Sequence, residues 1–235
     1  MRSMPYVEEG NSRVDLNSRL LKDFIVLVTG PIDDELAELV IAELLYLNSV
    51  DPKRPITMHI ASGGGSITAG MAIYDCMKLI SNPVNTIGMG ICASMAAFLV
   101  MAGKDCNGIR SMTRNAELMV HQPLCGTNGS VQATDMDLVS NHLARTTLKM
   151  LALKAKFSGK TLEEIIEMST RDNYMYANEA LKHNFIDEII GDSDDKDVDI
   201  PVIPTYNITT SGGLENLEKS GLLDDFVKQL GIKIR

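Results

Sequence analysis

Short apolar runs alternate with segments of helical periodicity along the first 120 residues. The first run, Phe24–Thr29, is continuous and rich in β-branched residues, which is typical of a strand buried on both faces. Strands are predicted at 24–29, 56–60, 84–89 and 118–120. Helices are predicted between them at 35–48, 68–80 and 93–102. This βαβα order predicts an α/β fold with a mostly parallel sheet and right-handed crossovers.

The pattern changes twice after residue 120. A long helical repeat covers 135–157, and a capping box at Thr161 and Glu164 opens another helix. A short helix at 178–184 and a strand at 186–190 end the folded part of the sequence. An acidic linker at 192–197 then precedes an amphipathic helix at 214–230. We therefore expect an N-terminal segment at 1–19, a domain at 20–191 and a C-terminal extension at 192–235.

Composition restricts the partners and the compartment. The net charge of −9 disfavours nucleic acid, because binding phosphate requires a basic surface. The four cysteines form no CxxC pair, so we expect buried free thiols, no metal site and a reducing compartment. The first residues carry acids and no apolar run, so we expect no signal sequence, and the apolar run at 91–102 is too short to span a bilayer. These features favour a cytoplasmic protein with no membrane partner.

Three residues with nucleophilic chemistry lie in separate segments. Ser94 follows a predicted strand and opens an apolar helix, His121 ends a strand, and Asp172 follows the helix that the capping box opens. Taken singly, each residue has a simpler structural interpretation: Ser94 as a small residue that allows close helix packing, His121 as a core histidine, and Asp172 as a carboxylate paired with Arg171. Together, each beside a strand or turn, they predict a serine–histidine–aspartate triad.

A glycine turn at Gly63–Gly65 follows the second strand. No Lys-Ser or Lys-Thr pair follows the turn, which argues against a nucleotide-binding P-loop. Glycine allows a substrate to approach the backbone closely, and a helix N-terminus offers free N–H groups. The backbone N–H groups of Gly65 and Met95 are therefore predicted to form an oxyanion hole.

The chain resembles the Clp protease family of proteolytic subunits (ClpP) from about Tyr6 to Ile190. The matching motifs are Ser18–Lys22, Gly30–Asp34, Thr68–Asp75, Ala93–Met95, His121–Leu124, Gln132–Asp135 and Arg171–Met175. This resemblance implies that Ser94 is the nucleophile, His121 the general base and Asp172 the residue that orients the imidazole. The family's oxyanion donors fall on Gly65 and Met95.

The resemblance also implies the architecture and the partners. Members have a crotonase-like fold of repeated ββα units with a projecting handle, here about residues 123–158. Two heptameric rings stack as a tetradecamer, and Gln132, Asp135 and Arg171 match the network that couples ring contact to triad geometry. An AAA+ Clp unfoldase feeds unfolded polypeptides into the chamber. The unfoldase uses the ATP, so the subunit itself needs no cofactor.

The chain departs from the family pattern at two places. Residues 61–65 read Ala-Ser-Gly-Gly-Gly instead of Asn-Ser-Pro-Gly-Gly, which predicts a less preorganised oxyanion loop. Thr57, His59 and Ser111 replace aromatic residues of the clefts that receive the unfoldase. We therefore expect weaker docking, and the helix in the 192–235 extension is a hypothetical cover for these clefts.

The sequence leaves other functions open beside a self-compartmentalising serine endopeptidase. One is a crotonase-type acyl-CoA enzyme, which shares the fold and its paired backbone donors. Another is a weakly active or regulatory ring subunit that requires a paralogous ring or an activator. A virus-encoded relative acting in capsid maturation is a narrower variant. Cleavage preference and N-terminal processing do not follow from the residues.

Overall fold

The computed structural model describes residues 5–10, 12–124, 126 and 132–191. The chain divides into two units, Met1–Gly191 and Asp192–Arg235. The second unit, with the predicted linker and the helix at 214–230, lies outside the described residues, as does Cys125.

The elements follow one another in α/β order. The strands are β1 (Tyr6–Glu9), β2 (Ser12–Asp15), β3 (Ile25–Thr29), β4 (Ile56–Ser62), β5 (Val84–Ala93), β6 (Arg110–Thr113), β7 (Glu117–Val120), β8 (Asn173–Tyr176) and β9 (Glu188–Ile190). The helices are α1 (Leu16–Lys22), α2 (Asp34–Val50), α3 (Ile67–Leu79), α4 (Met95–Ala102), α5 (Ala133–Ser158), α6 (Leu162–Ser169) and α7 (Ala177–Lys182). A 3₁₀ turn covers Gly103–Cys106.

The predicted mostly parallel sheet is confirmed. Strands β3, β4, β5, β6 and β9 are hydrogen-bonded in that order, and every pairing is parallel. The ten-residue β5 pairs with β6 through its first half and with β7 through its second half. Among the described strands of this sheet, only β8, which pairs with β7, runs antiparallel. The second half of β5 therefore carries a separate strand pair at the sheet's carboxyl edge.

The pattern did not predict β6 and β8. Each has four residues, and β6 carries a fully buried cation, Arg110. Arg110 donates hydrogen bonds to both carboxylate oxygens of Asp187 and to the backbone carbonyl of Phe157. A hydrophobicity pattern cannot identify a strand whose inward side chain is charged, because the compensating partners lie far along the chain.

The core centres on α4, whose eight residues are all buried. The ring of Phe98 makes edge-to-face contacts with Tyr74 of α3 and Phe157 of α5. Burial on every side explains why this helix is apolar all round. No helix in the described part of the chain is long and apolar enough to cross a membrane.

The long helix α5 has two different halves. All its buried residues lie at or beyond Met150, and the turns before that point are exposed or half-buried. The predicted boundaries, 135–157, agree with the observed Ala133–Ser158. The carboxyl half of α5 therefore packs on the domain and the amino half does not, while the handle expected at about residues 123–158 stays a prediction.

Three of the predicted free thiols are confirmed. Cys76, Cys92 and Cys106 are buried and form no disulfide. Burial raises the pKa of Cys92 to about 11 and that of Cys106 to about 12. These thiols behave as small apolar core residues.

Candidate active site

Ser94 forms the sharp turn between β5 and α4. Its backbone has φ 56° and ψ −115°, a region that non-glycine residues rarely occupy. The N–H of Ser94 donates to the carbonyl of Met119 at 2.8 Å, which ties the turn to β7. Such a conformation typically costs about 1–3 kcal/mol and persists only where its surroundings impose it. The turn presents the hydroxyl at the carboxyl edge of the sheet.

His121 reaches Ser94 because of strand register. Ala93 pairs with Met119 in the parallel β5–β7 ladder, so the residues just beyond each strand emerge side by side. Ser94 Oγ and His121 Nε2 are 2.7 Å apart, within hydrogen-bond distance. The imidazole is largely enclosed, with 12% of the side chain exposed. The serine and histidine are thus positioned by the two strands that meet at the second half of β5.

Asp172 is positioned by the antiparallel pairing of β8 with β7. It precedes β8, and Val120 pairs with Asn173 in the antiparallel β7–β8 ladder. Its Oδ1 lies 3.2 Å from His121 Nδ1. Within the described residues the carboxylate contacts His121, and no ion pair joins it to Arg171. The structure thus brings together all three residues that the sequence selected, although 61% of the Asp172 side chain is exposed.

The glycine loop lies directly against the serine turn. A Cβ added to Gly64 would lie 2.8 Å from Ser94 Cβ and 3.1 Å from the Met95 nitrogen, and the φ of Gly64 is +92°. A Cβ on Gly65, at φ +155°, would collide with the Ile32 carbonyl. Met95 is the first residue of α4, where a backbone N–H has no partner within the helix. The loop and the helix N-terminus form one backbone surface beside Ser94.

Ser62 braces this loop, a role that sequence reasoning missed. Its hydroxyl donates to the Gly30 carbonyl at 2.5 Å and accepts a hydrogen bond from the Gly64 N–H at 3.0 Å. The Ile32 N–H donates to the Gly64 carbonyl at 2.9 Å. These contacts connect the loop to β3 and the turn after it. The weaker preorganisation expected from the missing proline remains a prediction.

Lys154 is a second residue that sequence reasoning missed. It lies on the buried face of α5 with 4% exposure, and its Nζ donates to the backbone carbonyl of His121 at 3.0 Å. Burial lowers its pKa to about 8. The available signal was its spacing, because Lys154 falls four residues after Met150 on the apolar stripe.

The expected ring-contact residues lie on the surface of the described domain. Gln132, Asp135 and Arg171 are exposed, and the described residues show no hydrogen bond or ion pair among the three. Their suggested coupling role stays a prediction.

The altered cleft positions lie on one face of the sheet. Thr57 and His59 are half-buried on β4, and His59 pairs with Ile87 of β5, which in turn pairs with Ser111 of β6. The buried Ser111 hydroxyl donates to a carboxylate oxygen of Glu188. The face is therefore more polar than aromatic residues would make it, while weaker docking remains a prediction.

The described residues contain no group of histidine, cysteine and carboxylate side chains suited to a metal ion. The chemistry that this site offers is a serine hydroxyl beside an imidazole that contacts a carboxylate. Such a residue set, on a strand–turn–helix of an α/β sheet, is the arrangement of serine hydrolases.

Comparisons with known proteins identify the family. The Clp protease family profile matches residues 8–193. The ATP-dependent Clp protease proteolytic subunit of Streptococcus suis (strain 98HAH33) is 43% identical over 191 residues, covering 80% of this chain and 96% of its own. The subunit of the same name from Streptococcus pneumoniae (strain P1031) is 42% identical over 194 residues, covering 81% and 98%. This chain belongs to the Clp protease family, whose proteolytic subunits are serine peptidases.

Proposed function

We propose that Ser94, His121 and Asp172 are the catalytic residues of this Clp-family serine protease and that it hydrolyses peptide bonds. One observation carries the proposal: Ser94 Oγ and His121 Nε2 are 2.7 Å apart, and His121 Nδ1 lies 3.2 Å from Asp172 Oδ1. Hydrogen-bond contact between nucleophile and base, with a carboxylate orienting the base, is the geometry that activates a serine.

Acylation follows from these contacts. Ser94 Oγ attacks the scissile carbonyl while His121 Nε2 accepts the hydroxyl proton, and Asp172 stabilises the imidazolium. The resulting oxyanion accepts hydrogen bonds from the backbone N–H groups of Gly65 and Met95. His121 then protonates the leaving amine as the C–N bond breaks, leaving an acyl ester on Ser94.

Deacylation reverses the roles. His121 accepts a proton from water as the water oxygen attacks the ester carbonyl. When the second tetrahedral intermediate collapses, the proton returns from His121 to Ser94 Oγ, and the peptide leaves as a carboxylic acid. Water is the only co-reactant, so this subunit requires no cofactor for the hydrolysis itself.

The assembly and its partners are part of the same proposal. Family membership supports two heptameric rings stacked as a tetradecamer, with Gln132, Asp135 and Arg171 at the ring contact. The relatives' name, ATP-dependent Clp protease proteolytic subunit, supports an AAA+ Clp unfoldase as partner and as the site of ATP use. Unfolded polypeptides would then be the substrates and the cytoplasm the location. The net charge of −9 supports the expectation that nucleic acid is no partner.

The test combines covalent labelling, peptide hydrolysis and particle mass. Wild-type protein should react with a fluorophosphonate and cleave a fluorogenic peptide at a mass of about fourteen subunits. Ser94→Ala should lose both reactions at unchanged mass. Ser81→Ala, which removes an exposed serine outside the site, should retain both.

Other results would redirect the function. A wild-type particle of the expected mass that is labelled but cleaves nothing would indicate a regulatory subunit that needs an activator or a paralogous ring. Absence of fluorophosphonate labelling would contradict the activated serine and favour the acyl-CoA alternative.

A further inference from the structure

Lys154 is a buried cation for which the described part of the chain supplies no anionic partner. Its Nζ donates to one neutral acceptor, the His121 carbonyl, at 3.0 Å. No carboxylate of the described residues forms an ion pair with it, whereas the neighbouring Lys156 pairs with Asp105 at 2.6 Å. An ammonium has three donors, so the described contacts leave two available. Burying an ammonium with a single neutral acceptor raises the free energy of the folded state, unless further acceptors bind the remaining N–H groups.

The Lys154 side chain lines a cavity at the reacting atoms. The cavity of about 20 Å³ is also bounded by Ser94, His121 and Met95. Its wall includes Ile67 and Met150, which also line a groove of about 870 Å³ between α3 and α5. The small cavity has room for about one water molecule. A substrate side chain entering along Ile67 and Met150 would therefore approach the ammonium next to Ser94.

The larger groove does not cancel this charge. Its lining includes one carboxylate, Asp75, and one ammonium, Lys149, together with His142. Asp75 and Lys149 balance formally, so Lys154 supplies the excess positive charge where the groove meets Ser94. Burial lowers the pKa of Lys154 to about 8, which leaves most of the ammonium charged at pH 7.

We propose that Lys154 determines specificity, selecting substrates with an aspartate or glutamate at P1, the residue whose carbonyl Ser94 attacks. This inference rests on the proposed function of the same site. A P1 carboxylate supplies the missing counter-ion and accepts a charge-assisted hydrogen bond in a low-dielectric pocket. A P1 lysine or arginine would bring a second cation to the same place. Glutamate and glutamine differ mainly in charge, so a comparison of the two at P1 isolates the effect of the carboxylate.

The test is a fluorogenic peptide series that differs only at P1, with glutamate, glutamine, leucine or lysine. At pH 7 the wild-type kcat/KM should favour glutamate over glutamine by about tenfold or more, since hydrogen bonds to charged groups are the strong ones. Lys154→Met, which keeps the length and removes the charge, should abolish that ratio and shift the preference toward leucine. Lys149→Met, a matched lysine of the outer groove, should change the ratio by less than about twofold.

Three results would overturn the proposal. One is a wild-type glutamate-to-glutamine ratio near one, which needs no variant and is independent of any folding defect. Another is a Lys154→Met protein in which kcat falls equally for every P1 residue, because that pattern assigns Lys154 only to positioning His121. The third is an equal loss of the ratio in Lys149→Met. Fluorophosphonate labelling of the wild type keeps these outcomes separate from failure of the proposed function, which would abolish labelling itself.

Discussion

The two ends of the proposed triad lie in opposite environments. Ser94 stands between the carboxyl end of β5 and the fully buried α4, in a strained backbone conformation. Asp172 has a side chain that is 61% exposed and precedes the short edge strand β8. The core of one chain imposes the nucleophile's geometry, whereas solvent or a neighbouring chain can influence the acid. We therefore expect changes at the serine end to affect stability and activity together, and changes at the aspartate end to affect activity alone.

The largest effect is expected at the exposed end. Asp172→Asn should lower kcat by about 10³–10⁴-fold, because an amide cannot stabilise the imidazolium and favours the wrong tautomer. The thermal unfolding midpoint should stay close to the wild-type value, since the side chain is mainly exposed. Peptide hydrolysis and a thermal melt measure the two effects. A clear loss of stability in Asp172→Asn would contradict the expected difference between the exposed and the buried end of the triad. Glu38→Gln, which changes an exposed carboxylate of α2, serves as the control.

At the buried Ser94 end of the triad, Gly64→Ala should reduce both the stability of the protein and its peptidase activity. The new Cβ would lie 2.6 Å from the Ala93 carbonyl and 2.8 Å from Ser94 Cβ, at a positive φ. We expect a loss of about 10²–10³-fold in kcat, comparable to removing one oxyanion donor. Gly63→Ala is the matched control, because its Cβ meets nothing within 4 Å. Equal activity of the two variants would show that the loop does not require its present position.

Lys154 connects the two ends, because it holds the backbone of His121. Lys154→Met should raise the free energy of unfolding at pH 7 by about 2–3 kcal/mol, since it removes a buried charge whose pKa is far below its ordinary value. Between about pH 8 and 10.5 the unfolded wild-type chain binds more protons than the folded chain, so wild-type stability rises with pH there. The advantage of the variant should shrink over that range. Denaturant unfolding of both proteins at pH 7 and pH 10 measures the difference in their free energies of unfolding. A difference that is the same at both pH values would contradict a buried, charged Lys154.

The smallest effect is expected at Ser62. Ser62→Ala removes one hydrogen bond to the Gly30 carbonyl and one from the Gly64 N–H, each with a net value of about 1 kcal/mol. Activity should fall about three- to tenfold as the loop loses order. Ser81→Ala provides the exposed control. An unchanged kcat would indicate that two other bonds are sufficient to hold the loop: the one from the Ile32 N–H to the Gly64 carbonyl and the one from the Ser66 N–H to the Ile32 carbonyl at 2.7 Å.

Much of the site could be predicted because its reactive residues stand in recognisable local sequence contexts. Ser94 stands where an apolar strand becomes an apolar helix, and His121 stands at the end of a strand. Lys154 was missed because its one local signal, a spacing of four residues after Met150, indicates burial but not which residue it contacts. Ser62 was missed because nothing local distinguishes it from a turn serine. Their roles depend on contacts with His121 and Gly30, which lie 33 and 32 residues away.

The sequence by itself determined the alternation of strands and helices, the capping box at Thr161, the buried thiols and the family. These properties depend on hydrophobic period, capping chemistry and motif identity, all of which can be read within a short window. The tertiary structure decided that β5 pairs with β6 and then β7, that Arg110 is a buried ion-paired strand residue, and that Lys154 lies beside Ser94. Strand register and the neutralisation of buried charge are long-range properties, because they depend on which distant segments the fold brings together.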